Sequence, residues 1–361
     1  MMFIILILCI LLLGILTIIV KSPGRLSPLR DEKGRDIPNA ISEKIWIDVN
    51  GTKQGMFIRG EKPNNPILLY LHGGPGTPML QFIDYMEKSE RLEKDYTVCY
   101  WDQRGSGMSY NRATEPSELT IDQMIEDTFV VTEYLRVRFK QKKILLLGHS
   151  WGSYLGIKTI EKYPHSYWAY VGVGQVTDQR ESERLAYKYM MQRAEEENDS
   201  DVIARLSKFN PDAKDFPQLD YLVKGRTKIL NKYGIGHLHQ GLKSFDFIKT
   251  FFLFKGYTLK EKINWFIGAD FSMIYLFPLI LEDSLFQSSL DFELPVYIVQ
   301  GSYDYQVSQS LAKKYLTTIN APKKKYWELP NSAHSPNMEE PEKFMKILHE
   351  IEQENEIVLK G

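Results

Sequence analysis

The chain has 361 residues and a formal net charge of -1, so no electrostatic footprint for a nucleic acid is present. Its 43% hydrophobic and 25% charged residues are globular values, in a length that suits one domain with an insertion or two domains. Two cysteines, Cys9 and Cys99, make neither a disulfide framework nor a metal-type spacing.

Met1 to Val20 contains no charged side chain, and Lys21, Arg25 and Arg30 follow it. At 1.5 Å per residue, about 20 residues make a helix of roughly 30 Å, the thickness of a bilayer core. No basic stretch precedes the apolar run, no Ala-x-Ala-like site follows it, and Leu8 before Cys9 argues against a lipoprotein box. The expectation is an uncleaved single-pass anchor over residues 1–21 that meets the lipid bilayer through residues 1–20. A cleaved signal is the alternative. The positive-inside rule puts the part of the chain after residue 21 in the cytoplasm, and an extracytoplasmic placement is the other possibility. Residues 22–40, with several Pro, Gly and charged positions, read as a linker.

From Ile41 the pattern is strand-like. Lys44 to Val49 and Gly55 to Ile58 flank Asn50-Gly51, a strong hairpin signal. Ile67 to Leu71 and Tyr96 to Trp101 are continuous apolar runs, which suit strands buried on both faces of a parallel sheet. Thr120 to Gln123 resembles a capping box, opening a helix to about Phe139. Lys143 to Leu147 reads as a buried strand, the stretch up to Tyr163 as a helix, and Trp168 to Val173 as another strand. The division is a core over residues 41–175, a helical insertion over 176–290 with charged and then aromatic-rich stretches, and a second core part over 291–361. In that part Pro295 to Gln300 and Lys325 to Leu329 are strands, and Pro341 to Glu352 is an amphipathic helix.

The chemistry concentrates at strand ends. Gly148-His149-Ser150-Trp151-Gly152 follows one apolar strand and opens a helix. A serine on such a turn resembles the nucleophile elbow of α/β-hydrolases, and the flanking glycines allow the strained backbone it needs. A serine hydroxyl needs a general base, and the base needs an orienting carboxylate. His334 lies directly after the last strand and Asp304 after the one before, in the required order of Ser, acid, His. Asp291 and Glu293 sit at the wrong end of their strand, and His349 lies within the terminal helix. The oxyanion donors expected are the N–H groups of Gly74, in His72-Gly73-Gly74-Pro75-Gly76, and of Trp151. Pro75 has no N–H to give. The His72 side chain reads as structural. Arg104, in Asp102-Gln103-Arg104-Gly105-Ser106-Gly107, reads as a buried cation tying loops together. His237-Leu238-His239 lacks ligand spacing, so no metal is expected there, and no cofactor is needed elsewhere.

Taken together, the motifs at His72–Gly76, Asp102–Gly107 and Gly148–Gly152 resemble the prolyl iminopeptidase family of serine aminopeptidases, over roughly residues 40–175 and 290–350. The resemblance implies an α/β-hydrolase fold, a mostly parallel sheet with helices on both faces, and a helical lid over the active site. It implies removal of an N-terminal residue, often proline, from short peptides whose free amine is held by lid carboxylates. Glu181, Glu183 and Glu282 are the candidates in this chain. The aromatic lid and the anchor suit a carboxylic-ester hydrolase equally well. Halide and epoxide chemistry is disfavoured, because relatives with those activities carry a carboxylate at the elbow.

Overall fold

Asn50 and Gly51 both take positive φ, 44° and 81°. They close a two-residue hairpin between β1 (Ile41–Val49) and β2 (Thr52–Gly60), a turn whose twist matches that of the strands. In this computed structural model, which describes residues 12–14, 16–82, 90–240 and 244–356, six further strands follow. They are β3 (Ile67–Leu71), β4 (Thr97–Trp101), β5 (Ile144–His149), β6 (Tyr167–Val173), β7 (Val296–Gly301) and β8 (Lys324–Leu329). One sheet takes them in the order β1-β2-β4-β3-β5-β6-β7-β8. The first two pairings, β1 with β2 and β2 with β4, are antiparallel, and all later ones are parallel. Every residue of β3, β4, β5 and β7 is buried, which is why these strands read as unbroken apolar runs.

Helices cover both faces. On one side α1 (Ile121–Phe139), α2 (Trp151–Lys162) and α8 (Gln309–Thr318) bury Val131, Leu135, Leu155, Ile160 and Tyr315 against the sheet. On the other, α9 (Pro341–Glu354) buries Phe344, Leu348 and Ile351. Thr120 caps α1 by accepting from the Gln123 N–H at 3.1 Å, but the Gln123 side chain turns away to Asp127 Oδ1. The expected capping box is therefore half made, because a buried carboxylate outcompetes the cap.

Between β6 and β7 lies the helical insertion. It contains α3 (Gln179–Glu196), α4 (Ser200–Leu206), α5 (Thr227–Lys232), α6 (Ser244–Leu253) and α7 (Leu259–Glu282). Part of it has a core of its own, in which Tyr187, Met190, Phe216, Tyr221 and Leu230 pack together. α7 opens with a complete capping box between Thr258 and Glu261.

Of the expected anchor, residues 1–11 and 15 lie outside the described residues, and Leu12 to Val20 is otherwise helical, with Leu12, Leu13, Leu16, Ile19 and Val20 exposed and Ile18 half-buried. Residues 22–40, expected as a linker, dock on the rest of the chain. The segment carries no regular element but it is strapped down. Pro23 bridges Thr258, the Arg25 N–H donates to Lys255 O at 3.0 Å, and Leu29 is buried. Its Pro and Gly content marks irregular backbone, and irregular backbone can still dock.

Arg104 carries the polar side of the core. Its Nε and Nη2 reach the two oxygens of Asp127 at 2.7 and 3.0 Å, and Nη1 reaches Glu118 at 2.8 Å. Asp127 is fully buried and also accepts from Asn50, Gln54 and Gln123. The pair therefore ties the first hairpin to α1. Removing one partner of such a pair strands a buried charge. Arg104→Ala is expected to cost about 3–5 kcal/mol in urea unfolding. Arg104→Lys should recover little of that loss, since an ammonium cannot reproduce the two-pronged contact.

Candidate functional site

Ser150 sits at the turn from β5 into α2 with φ 56° and ψ -123°. Its N–H donates to Val173 O at 2.9 Å, which fastens the turn to β6. The tightness explains the glycines. A Cβ on Gly152 would lie 2.1 Å from Leu71 O, and one on Gly148 would lie 2.3 Å from Gly152 O. No other residue fits between elbow and β3.

His334 follows β8 and is held on both sides. Its Nδ1 contacts Asp304 Oδ2 at 2.9 Å, and its N–H donates to Gly236 O of the insertion at 3.2 Å. Asp304 is buried, and its carboxylate also accepts from Gln300 Nε2 at 2.7 Å and the Val307 N–H at 2.9 Å. These bonds fix one oxygen toward the imidazole. Gly174, at φ 59°, runs beneath the ring, where a Cβ would come within 2.8 Å of His334 Cε1. His334 Nε2 has no hydrogen-bond partner. It belongs to a cavity of about 290 Å³ that Ser150, Gly74 and Trp151 also line. The five residues expected to do the chemistry are thus at one place.

The loops converge through Gln103. Its N–H donates to His72 Nε2, its side-chain amide donates to His72 O, and its Oε1 accepts from the Trp151 indole at 2.9 Å. The proton of His72 therefore sits on Nδ1, which donates to Gly73 O at 2.9 Å. Burial lowers the His72 pKa to about 4, as befits a neutral structural ring.

Two other histidines stand beside His334 that sequence reasoning did not place there. His149 contacts His334 O through Nε2 at 3.0 Å, and its ring centroid is 5.0 Å from that of His334. Burial holds its pKa well below the ordinary range, and His334 and His237 add to this. His237 lines the cavity, 6.3 Å from His334 between ring centroids, and burial lowers its pKa to about 4. His239 faces elsewhere, stacked on Tyr303 with Nδ1 on Gly234 O.

The lid carboxylates do not gather. Glu183 is fully buried, and its oxygens are taken by Arg226 Nε at 2.6 Å and Gln179 Nε2 at 2.8 Å. Glu181 faces outward beside Arg184, and Glu282 is exposed at the end of α7. Among the described residues lining the cavity there is no Asp or Glu, whereas Arg226, Gln179 and Gln306 are there. Arg226 donates through Nη2 to Gln306 O at 3.0 Å. None of the three candidates is placed to meet a ligand in that cavity.

The comparisons agree with this architecture. Residues 66–341 match the family model described as alpha/beta hydrolase fold. The chain belongs to the α/β-hydrolase fold family. It is similar to a probable aminopeptidase, YbaC, of Bacillus subtilis (strain 168), at 31% identity over 302 residues, 84% of this chain and 93% of that one. A proline iminopeptidase of Lactobacillus acidophilus matches at 33% over 102 residues, 28% of this chain and 32% of its own. Among solved structures, proline iminopeptidase from Mycobacterium smegmatis superposes with a TM-score of 0.61 at 15% identity, covering 87% of this chain and 98% of that one. That last likeness speaks to the fold alone. The resemblance read from the three motifs therefore holds at the level of the family.

The neutral state of His237 has a pH signature. In the unfolded chain a histidine takes up a proton near pH 6.5, and in the folded chain only near pH 4. Its contribution to stability is present above the unfolded pKa and is lost as pH falls from 6.5 toward 4. His237→Gln should abolish this term. The stability gap between wild type and variant, measured by urea unfolding, is expected to move by about 2 kcal/mol in favour of the variant between pH 7 and pH 5.

Proposed function

We propose that the chain is a serine hydrolase that acts through an acyl-enzyme. Ser150 Oγ attacks an acyl carbonyl, His334 Nε2 takes its proton, and Asp304 holds the ring and stabilises the imidazolium. The N–H groups of Gly74 and Trp151 receive the oxyanion. His334 returns the proton to the leaving group. Water, deprotonated by the same imidazole, then attacks the ester of Ser150 and releases the acid. The observation that carries this reading is the state of His334: one nitrogen bonded to a buried carboxylate, the other unpartnered in the cavity that Ser150 lines.

For the substrate, the reading supported by the relatives is removal of an N-terminal residue of proline type from short peptides. The named aminopeptidase is similar over 84% of this chain. A second reading, hydrolysis of carboxylic esters, is favoured by the cavity itself. An aminopeptidase pocket needs an anion for the substrate's ammonium, and Glu183 is already neutralised by Arg226.

Ser150→Ala should abolish labelling by a fluorophosphonate probe, and retained labelling sinks the nucleophile assignment. Asp304→Asn should keep the fold and lower kcat about 10⁴-fold. A panel of proline and other amino-acid anilides beside short acyl esters separates the substrate readings. Turnover of esters alone ends the peptidase reading.

A further inference from the structure

The helix α7 has two apolar faces; among the described residues one is buried, and the other is only partly covered, by Phe251 and Phe252 against Phe266. Trp265 and Leu276 pack inward, and Ile280 is buried against the Ser150 cavity. On the opposite side Ile263, Phe266, Met273 and Ile274 are 51%, 43%, 39% and 61% exposed, spaced by three, seven and one residues so that they form one stripe. Its 18-residue apolar window has a mean hydropathy of 1.4. A surface helix of a water-soluble enzyme ordinarily turns charge outward; here Asp270 is the one acid within the stripe.

The apolar N-terminal segment ends against this helix. Lys262, buried one residue before Ile263, donates to Ser22 Oγ at 2.9 Å and to Lys21 O at 3.3 Å, and also to Phe252 O at 2.6 Å. Whatever takes up the exposed side chains of Leu12 to Val20 is thereby brought to the start of α7. The surroundings are basic, with Arg25, Lys249, Lys255 and Lys260 exposed. Along the same helix, roughly 17 Å on at 1.5 Å per residue, Met273 is both exposed and part of the lining of the Ser150 cavity, beside Phe277 and Ile280.

We propose that α7 lies in the plane of a lipid bilayer, its Ile263–Ile274 stripe among the acyl chains, so that the mouth of the Ser150 cavity opens onto the membrane surface. The preceding apolar segment holds the enzyme there, and the basic side chains meet anionic headgroups. The substrate class that this implies is an amphiphile with its acyl bond near the headgroup level, which reaches Ser150 past Met273 without crossing water. That last step rests on the hydrolase reading of Ser150.

The test uses the full chain in vesicles of phosphatidylcholine and phosphatidylglycerol. With Cys9 replaced by Ser and Cys99 buried, a polarity-sensitive fluorophore is placed on Ile274→Cys and, as a control, on Val137→Cys of α1, which is 77% exposed. The label at 274 should be blue-shifted and quenched by lipids brominated on the acyl chain, and the label at 137 should be quenched by iodide in water. A label at 274 that behaves like the one at 137 overturns the proposal. So does one shielded from both quenchers, which would mean protein, such as a second copy, on that face. In the second arm, the double variant Ile263→Gln with Ile274→Gln should lose on the order of a hundredfold in turnover of a vesicle-embedded long-chain ester, about tenfold for each of the two lost aliphatic contacts. Its turnover of a soluble short ester should be unchanged. Equal loss on both esters overturns the substrate route. A wild-type protein inert on every soluble ester and anilide refutes the hydrolase reading instead, and the label then decides membrane docking by itself.

Discussion

The backbone of Ser150 is the constraint on which the rest of the site depends. A non-glycine residue at φ 56° and ψ -123° is strained, at a cost on the order of 1–3 kcal/mol, and it survives only where its surroundings leave no alternative. Here β5 ends in the elbow, β6 accepts the serine N–H, and α2 begins at the next residue, packed on β3 without room for a Cβ at Gly152. The strain aims the hydroxyl out of the sheet. It also places the first N–H groups of α2 around the same point, where a helix N-terminus favours negative charge.

From that point the loops are tied to one another and to the strand ends by side-chain amides. Gln103 bonds both the glycine loop after β3 and the indole of Trp151, so the two proposed oxyanion donors share one brace. Gln300 acts similarly on the other side, holding Asp304 with its amide and the Gln175 N–H with its carbonyl. Each brace is an uncharged amide. A neutral brace fixes geometry without adding a charge that would compete with the imidazolium that the proposed mechanism forms on His334. The same logic accounts for His72 and His149, which burial keeps neutral beside the site.

What was legible in the sequence follows from how local its cause is. β3, β5 and the elbow were readable to within two residues, because an apolar run with glycines at a tight approach is a local signal. Asp304 and His334 were readable because strand order fixes which loops can reach Ser150. Gln103 stood inside a motif whose glycines were visible, but an amide brace has no signature until its partners are known. His237 looked like half of a failed metal pair, since its proximity to His334 is made by a loop of the insertion folding back across 97 residues of sequence. The docked stretch 22–40 looked like a linker for the same reason: its partners, Thr258 and Lys255, lie more than 200 residues away.

The insertion shows most clearly where sequence and structure part. Glu181 and Glu183 are two residues apart on α3 and so face opposite sides of the helix, one toward water and one inward. Only the fold reveals that the inward one meets Arg226, which arrives 43 residues later and takes its charge. A buried pair of this kind contributes little net stability over an apolar substitute, while loss of either member leaves a costly isolated ion. Its consequence is specificity. With Glu183 neutralised, the wall of the cavity on the α3 side presents a guanidinium and amides, with hydrogens to donate and no negative charge to receive an ammonium. The proposed catalytic groups at the strand ends are thus compatible with amide and ester alike, and on that proposal the choice between them lies in the few polar side chains that the insertion lowers over Ser150.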